Sequence, residues 1–247
     1  MDIVAITCDV EWAPDYALES VAAIFEKYDV KSTWFVTHDS DALKRLQHKT
    51  DFFEFGIHPN FLSGSTQGST ESEVLKYVTR IVPHARTVRT HSLFQSSRLM
   101  EKMVSEFGIE IDVSIYLPNN PHILPHSVRY DRSGKELVRV PYFWEDDLEW
   151  FNPVPSWVAQ DKCGIPGVRI FNFHPMFVYA NIESSERYST LKKKGDYSKI
   201  SRGELDKLTN TTELGPRDLL EELCRYIASV QKQSYTITDI VGAWRSA

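Results

Sequence analysis

The chain has 247 residues, with 28 Lys+Arg against 34 Asp+Glu and a formal net charge of −6. Hydrophobic residues make up 42% and charged residues 25%, a globular balance that excludes global disorder. The mild acidity, with no basic run longer than Lys192-Lys193-Lys194, excludes capture of nucleic acid by long-range attraction.

In chain order, residues 3–8 form a compact β-branched run that ends on Asp9 and Glu11. Leu18, Val21, Ala22, Ile24 and Phe25 then fall on one helix face. A strand at 31–37, a short helix at 40–46 and a strand at 52–58 ending on His58 follow. Residues 62–70 are a polar loop. A helix spans 71–81, a short strand 86–91 delivers His91, and a helix at 97–107 stops at Gly108. A strand is predicted at 109–115. Residues 116–168, rich in Pro, Trp and His, are predicted as a long loop or hairpin insertion. Residues 168–174 are a strong strand ending on His174. The stretch 181–213 is polar. Gly215-Pro216-Arg217-Asp218 opens a helix running to about 231. Residues 235–238 are predicted as a closing strand.

Alternating strands and helices predict a largely parallel sheet, best arranged as one barrel-like α/β domain over residues 1–247. A split near 116 would orphan the last strand. The cysteines Cys8, Cys163 and Cys224 are odd in number and far apart, the usage of a reducing compartment. No basic stretch precedes an apolar core near the start, and no run approaches the roughly 20 apolar residues of a membrane span. A cytoplasmic location is expected. Nothing in the sequence specifies an oligomeric state.

Four strands end in polar groups that can bind a ligand: Asp9 with Glu11, His58, Arg89 with His91, and His174. In a parallel barrel such ends share one face, where loops build the active site. Asp9 and Glu11, two apart, would point the same way on an extended strand, about 6–7 Å along it. One suits a metal ligand and the other a base; the plain alternative is a solvated loop. His174 ends an aromatic strand, where an unpaired polar group is costly. Imidazole with carboxylate suits Zn²⁺, Co²⁺, Fe²⁺ or Ni²⁺. His122 and His126 are separated by Pro125 and make a weak metal pair. His38 and His84 read as surface or supporting groups. The Trp144–Trp150 segment reads either as a sugar-binding wall or as a surface loop anchored by two indoles. Asp112 is placed to orient a histidine or an arginine.

The ordered set resembles the polysaccharide deacetylase family, the NodB-homology fold of carbohydrate esterase family four. Thr7-Cys8-Asp9-Val10-Glu11 is similar to its Thr-Phe-Asp-Asp-Gly motif, with one residue between the acids as in some relatives. Glu54-Phe55-Gly56-Ile57-His58, Arg89-Thr90-His91-Ser92, Asp112-Val113-Ser114 and Phe173-His174-Pro175 follow in family order. The resemblance implies a distorted, incomplete (β/α) barrel that removes acetyl groups with a divalent metal. Zinc comes first; cobalt, nickel and iron are also compatible. It implies Asp9 as base, Arg89 bracing it, His174 as acid, Asp112 orienting His174, and Glu11 and His58 as metal ligands. The family's His-x-x-x-His pattern is broken here by Leu62, which leaves Asn60 or His91 as the replacement ligand. The implied substrate is a small molecule or glycan, and a cytoplasmic address favours a soluble precursor such as a nucleotide-linked sugar. Two rivals stand beside this reading. One is a non-catalytic carbohydrate-binding protein on the same scaffold. The other is a metal-dependent phosphohydrolase, disfavoured by the lack of a Gly-rich loop or a dense Arg/Lys pocket.

Overall fold

The computed structural model describes residues 1–130 and 134–247; residues 131–133, within the predicted 116–168 insertion, lie outside them. Nine strands form among the described residues: β1 (Ile3–Asp9), β2 (Ser32–Val36), β3 (Phe53–Ile57), β4 (Thr87–Val88), β5 (Ile111–Asp112), β6 (His126–Arg129), β7 (Glu136–Arg139), β8 (Trp144–Glu145) and β9 (Val168–Phe173). They build one curled, open sheet, half a barrel, in the order β6-β7-β5-β4-β3-β2-β1-β9-β8. Every pairing is parallel except the β6–β7 hairpin, so the predicted insertion extends the sheet at both edges.

The helices are α1 (Asp15–Tyr28), α2 (Asp41–Leu46), α3 (Glu71–Ile81), α4 (Ser97–Phe107), α5 (Asp146–Glu149), α6 (Gln160–Cys163), α7 (Pro175–Ala180), α8 (Ser185–Lys192), α9 (Arg202–Asp206), α10 (Pro216–Tyr226) and α11 (Ile237–Arg245). None among the described residues is long and apolar enough to cross a membrane. Local chemistry sets their ends. Thr70 and Glu73 form a capping box at the start of α3. Gly108, at φ 70°, closes α4 in the left-handed conformation.

The strand period divides β1 between two cores. Val4, Ile6 and Cys8 face the layer that includes α1, α7 and α10. Ile3 and Ala5 face the concave side, where Val138, Val168 and Ile170 meet Ile237, Ile240 and Val241 of α11. The next concave positions are Thr7 and Asp9. The concave face is therefore apolar at the amino ends of the strands, plugged by α11, and polar at their carboxyl ends.

α11 replaces the closing strand predicted at 235–238. The β-branched run Thr236-Ile237-Thr238 favours a strand locally, but Thr236 and Asp239 form a capping box. Thr33 Oγ1 accepts from the Ile237 amide at 2.9 Å, and Glu54 accepts from the Thr238 amide at 3.1 Å. The strands predicted at 86–91 and 109–115 shrink to two residues each. Beyond them side chains take over the pairing: Ser114 Oγ accepts the Thr90 amide at 2.9 Å.

Ile240 is fully buried in this plug. Ile240→Ala is expected to lower stability by about 2–5 kcal/mol. Urea denaturation checks this; the midpoint should fall with the slope unchanged.

Candidate active site

Arg89 follows β4 and is completely buried. Its Nη1 donates to Asp9 Oδ1 at 3.0 Å and Thr7 Oγ1 at 2.9 Å, and also to Asn172 Oδ1. Its Nε donates to the Val113 carbonyl at 3.2 Å. The guanidinium lies 4.6 Å from the Phe35 ring centroid and 4.4 Å from that of Tyr142. Thr7 and Asn172 are register partners on β1 and β9. Asn172 Nδ2 donates to Asp9 Oδ2 at 3.0 Å, so each oxygen of Asp9 accepts a hydrogen bond. Burial alone would raise the Asp9 pKa, but Arg89, then His58 and His174, hold it below the usual carboxylate value. Asp9 is an ionised, oriented acceptor at neutral pH.

Glu11 reaches the site through a turn, not through strand alternation. β1 ends at Asp9, and Glu11 and Trp12 take left-handed backbone at φ 46° and 55°. Such residues cost of order 1–3 kcal/mol each and persist where their surroundings hold them. Here Thr37 Oγ1 accepts from the Trp12 amide at 3.1 Å. Glu11 Oε1 then lies 3.1 Å from His58 Nε2 and 2.6 Å from His91 Nδ1. Burial would raise the Glu11 pKa, but hydrogen bonds from both histidines pull it well below the usual range.

One carboxylate oxygen and two imidazole nitrogens from Glu11, His58 and His91 lie within 4.8 Å of one another. His58 meets Glu11 through Nε2, and its Nδ1 lies 3.8 Å from Asp9 Oδ1. Two imidazoles and a carboxylate at this separation fit a divalent cation held by Glu11, His58 and His91. Asn60, the other candidate ligand, is not brought to this cluster. Its Oδ1 accepts the Leu62 amide at 2.9 Å and its own amide donates to Gln67 Oε1 at 2.6 Å. That local turn carries Asn60 into an adjoining cavity and leaves Leu62 41% exposed.

His174 caps α7 at the end of β9. Its Nδ1 lies 2.6 Å from Asp146 Oδ1, and its amide donates to Asp146 Oδ2 at 2.8 Å. Burial would lower the His174 pKa, but Asp146 overcomes this and raises it well above the ordinary value. Asp112 does not orient His174. It accepts from Arg139 Nε at 2.8 Å and from the Ser114 amide. Four strands separate β5 from β9, whereas β8, which precedes Asp146, lies beside β9. Sheet order, invisible locally in the sequence, decides which acid meets the histidine.

Asp9, Glu11, His58, His91 and His174 line one cavity of about 460 Å³. Glu145 and Asp147 line it too, and the sequence reading missed both, together with Asp146 and Asn172. Glu145 accepts from Asn172 Nδ2 at 2.9 Å and from the Tyr142 hydroxyl at 2.8 Å. Burial, reinforced by Asp147, pushes its pKa up to about 8. In the Trp144–Trp150 segment both indoles are buried anchors, as the second reading expected, while Glu145 and Asp147 line the cavity, Asp146 meets His174 and Glu149 accepts from Trp144 Nε1 instead. The available signal was an acid directly after a short aromatic run, the same strand-end position as Asp9.

Asp146→Asn should lower the His174 pKa, whereas Asp112→Asn should leave it unchanged. Histidine-resolved NMR titration checks both; the opposite pattern would restore Asp112 to the role.

Residues 6–192 match the family of WbmS-like polysaccharide deacetylases. The chain is similar to a structure from Bordetella bronchiseptica assigned as a polysaccharide deacetylase involved in O-antigen biosynthesis, at 29% identity and a TM-score of 0.76, covering 90% of each chain. Its fold also resembles 4-α-glucanotransferase from Thermococcus litoralis, at 10% identity and a TM-score of 0.53, covering 97% of this chain and 38% of that one. No curated protein sequence matches the chain. With the family match spanning most of the chain and the deacetylase site groups gathered in one cavity, the protein belongs to the polysaccharide deacetylase family, in its WbmS-like branch.

Proposed function

We propose that the protein is a metal-dependent deacetylase that hydrolyses the acetamide of an amino sugar in glycan biosynthesis. The observation that carries this is the convergence of three devices on one cavity: Asp9 with Arg89, His174 with Asp146, and the Glu11–His58–His91 cluster. Two histidines and one glutamate with room for a further ligand suit zinc, with cobalt, nickel and iron as alternatives. A divalent ion supplies Lewis acidity, polarising the scissile carbonyl and making a water more acidic.

The chain's own groups divide the proton work. Asp9, ionised and fixed by Arg89 and Asn172, accepts the proton of the attacking water. His174, kept cationic by Asp146, gives a proton to the departing amine nitrogen. Glu145, kept neutral by burial near pH 7, adds no second negative charge beside Asp9.

A phosphohydrolase fits the cavity less well. Asp9, Glu11 and Asp147 line it, and among the described residues it has no arginine and one lysine, Lys192, beside the cationic His174. The O-antigen role assigned to the Bordetella relative supports a biosynthetic setting. All three cysteines are buried and free, which supports a reducing, cytoplasmic location.

The rate constant kcat/KM should be bell-shaped in pH. Activity falls as Asp9 is protonated, below the usual carboxylate value, and falls again as His174 loses its proton, above the usual imidazole value. Asp146→Asn should move the alkaline limb down; an alkaline limb that ignores this substitution rules out His174 as the acid. Asp9→Asn should slow acetate release by about 10²–10⁴-fold. In calorimetric zinc titrations, His91→Ala should weaken binding by more than about tenfold and Asn60→Ala should not. Equal losses would return Asn60 to the ligand set.

A further inference from the structure

Phe151-Asn152-Pro153-Val154-Pro155 is a run of exposed residues without a charge. Phe151 is 71% exposed and Val154 83%. The base of this tip is built. Trp150 and Trp157 on either side are buried. The Glu149 carbonyl accepts from the Asn152 amide at 3.1 Å, and Glu149 Oε1 accepts from the Ser156 amide at 2.7 Å. Surface loops are ordinarily polar. A pinned tip that presents Phe, Val and two prolines to water marks a contact with something outside the chain.

The tip stands at the mouth of the catalytic cavity, which exposed Leu148 lines. Ten large apolar side chains are exposed among the described residues. Six of them (Leu62, Phe94, Leu117, Leu148, Phe151 and Val154) lie on chain that follows β3, β4, β5 or β8. These strands run parallel, so the six share the end of the sheet where the cavity opens. The basic run Lys192-Lys193-Lys194 meets the same rim. Trp150 stacks on Tyr188 of α8 with ring centroids 4.7 Å apart, and Lys192 Nζ lies 5.8 Å from the Tyr188 centroid. Lys192 lines the cavity with Leu148, and Lys193 and Lys194 follow it, exposed. Lys194 meets Glu204 only at 4.0 Å, and among the described residues no acid pairs with Lys192 or Lys193. Glu186 of α8 is in its first turn, at the opposite end of the helix.

We infer that this face docks onto an anionic lipid surface. Phe151 and Val154 enter the headgroup boundary, and Lys192, Lys193 and Lys194 rest on the acidic headgroups. Two observations favour lipid over a protein partner. A chain of net charge −6 gains nothing from an acidic surface as a whole, so the attraction is local, and the basic run sits beside the apolar tip. The apolar side chains also surround an opening. A protein seated on them would close the cavity, whereas a fluid surface accepts each side chain separately and leaves the mouth facing the headgroups. Docking of this face does not depend on which bond the cavity hydrolyses.

The test is co-sedimentation of the full chain with vesicles of phosphatidylcholine, alone or with about 30% phosphatidylglycerol. The anionic vesicles should bind at least about tenfold more tightly, and the difference should shrink as salt rises. Phe151→Ser combined with Val154→Ser should weaken binding by at least about tenfold. Val230→Ser is the control. It is 62% exposed and lies at the opposite end of the sheet, next to Gln231, which bonds Val4 near the start of β1. It should change binding by less than about twofold. Lys193→Gln combined with Lys194→Gln should remove most of the preference for anionic vesicles. Failure to bind either vesicle overturns the docking surface, as does an equal loss in the tip and control variants. A preference that ignores the lysine substitutions overturns the anionic surface. A dimer in analytical ultracentrifugation that dissociates on the tip substitutions, without vesicle binding, assigns the face to a second copy of the chain and overturns it as well.

Discussion

A buried guanidinium is costly unless the protein supplies acceptors for it, and Arg89 is the point around which the carboxyl ends of the strands are arranged. It receives Asp9 and Thr7 from β1, the Val113 carbonyl from beyond β5 and Asn172 from β9. Phe35 of β2 and Tyr142 cover its two faces, where the ring quadrupoles favour a cation. Such a charge is tolerated because β1, β2, β9 and the residues beside β5 and β8 each contribute to it. Removing one partner of a buried pair commonly costs about 3–5 kcal/mol. The Asp9 carboxylate is therefore held by the same interaction that organises the sheet around it.

The acids of the cavity share one functional group but not one behaviour. Asp9 is driven to its ionised form by Arg89. Burial drives Glu145 toward its neutral form, and Asn172 links the two by donating to both. Asp146 is spent on His174, which it orients through the ring and the backbone amide together. Environments that push titratable groups apart are how one cavity holds a base and an acid at the same pH. The strained turn at Glu11 and Trp12 belongs to the same economy of position, since an unstrained continuation of β1 would carry Glu11 along the sheet instead of toward His58 and His91.

The broken His-x-x-x-His pattern shows why motif spacing and ligand geometry are separate matters. Asn60 closes a local turn with the Leu62 amide, and the chain after His58 leaves the site. His91, from just past the neighbouring strand β4, reaches Glu11. Parallel neighbours deliver their ends to the same place, so a group from the adjacent strand reaches Glu11 where the local loop does not.

Strand identity, the α/β class and the acids and histidines at the ends of β1, β3 and β9 are legible in the sequence, because each depends on local period and on polar residues closing apolar runs. Arg89 and His91 were legible for the same reason, although their strand is only two residues long. The sequence did not reveal that residues 237–245 are a plug. β-branched propensity at 236–238 favours a strand, and only contacts with Thr33 and Glu54, far away in the chain, favour the helix start. Nor did it distinguish Asp112 from Asp146 as the partner of His174. Both are acids near short apolar segments, and what separates them is that β8 lies beside β9 while β5 lies across the sheet. Local side-chain chemistry determined which groups can react; the order of the strands, set by burial over the whole sheet, decided which of them meet.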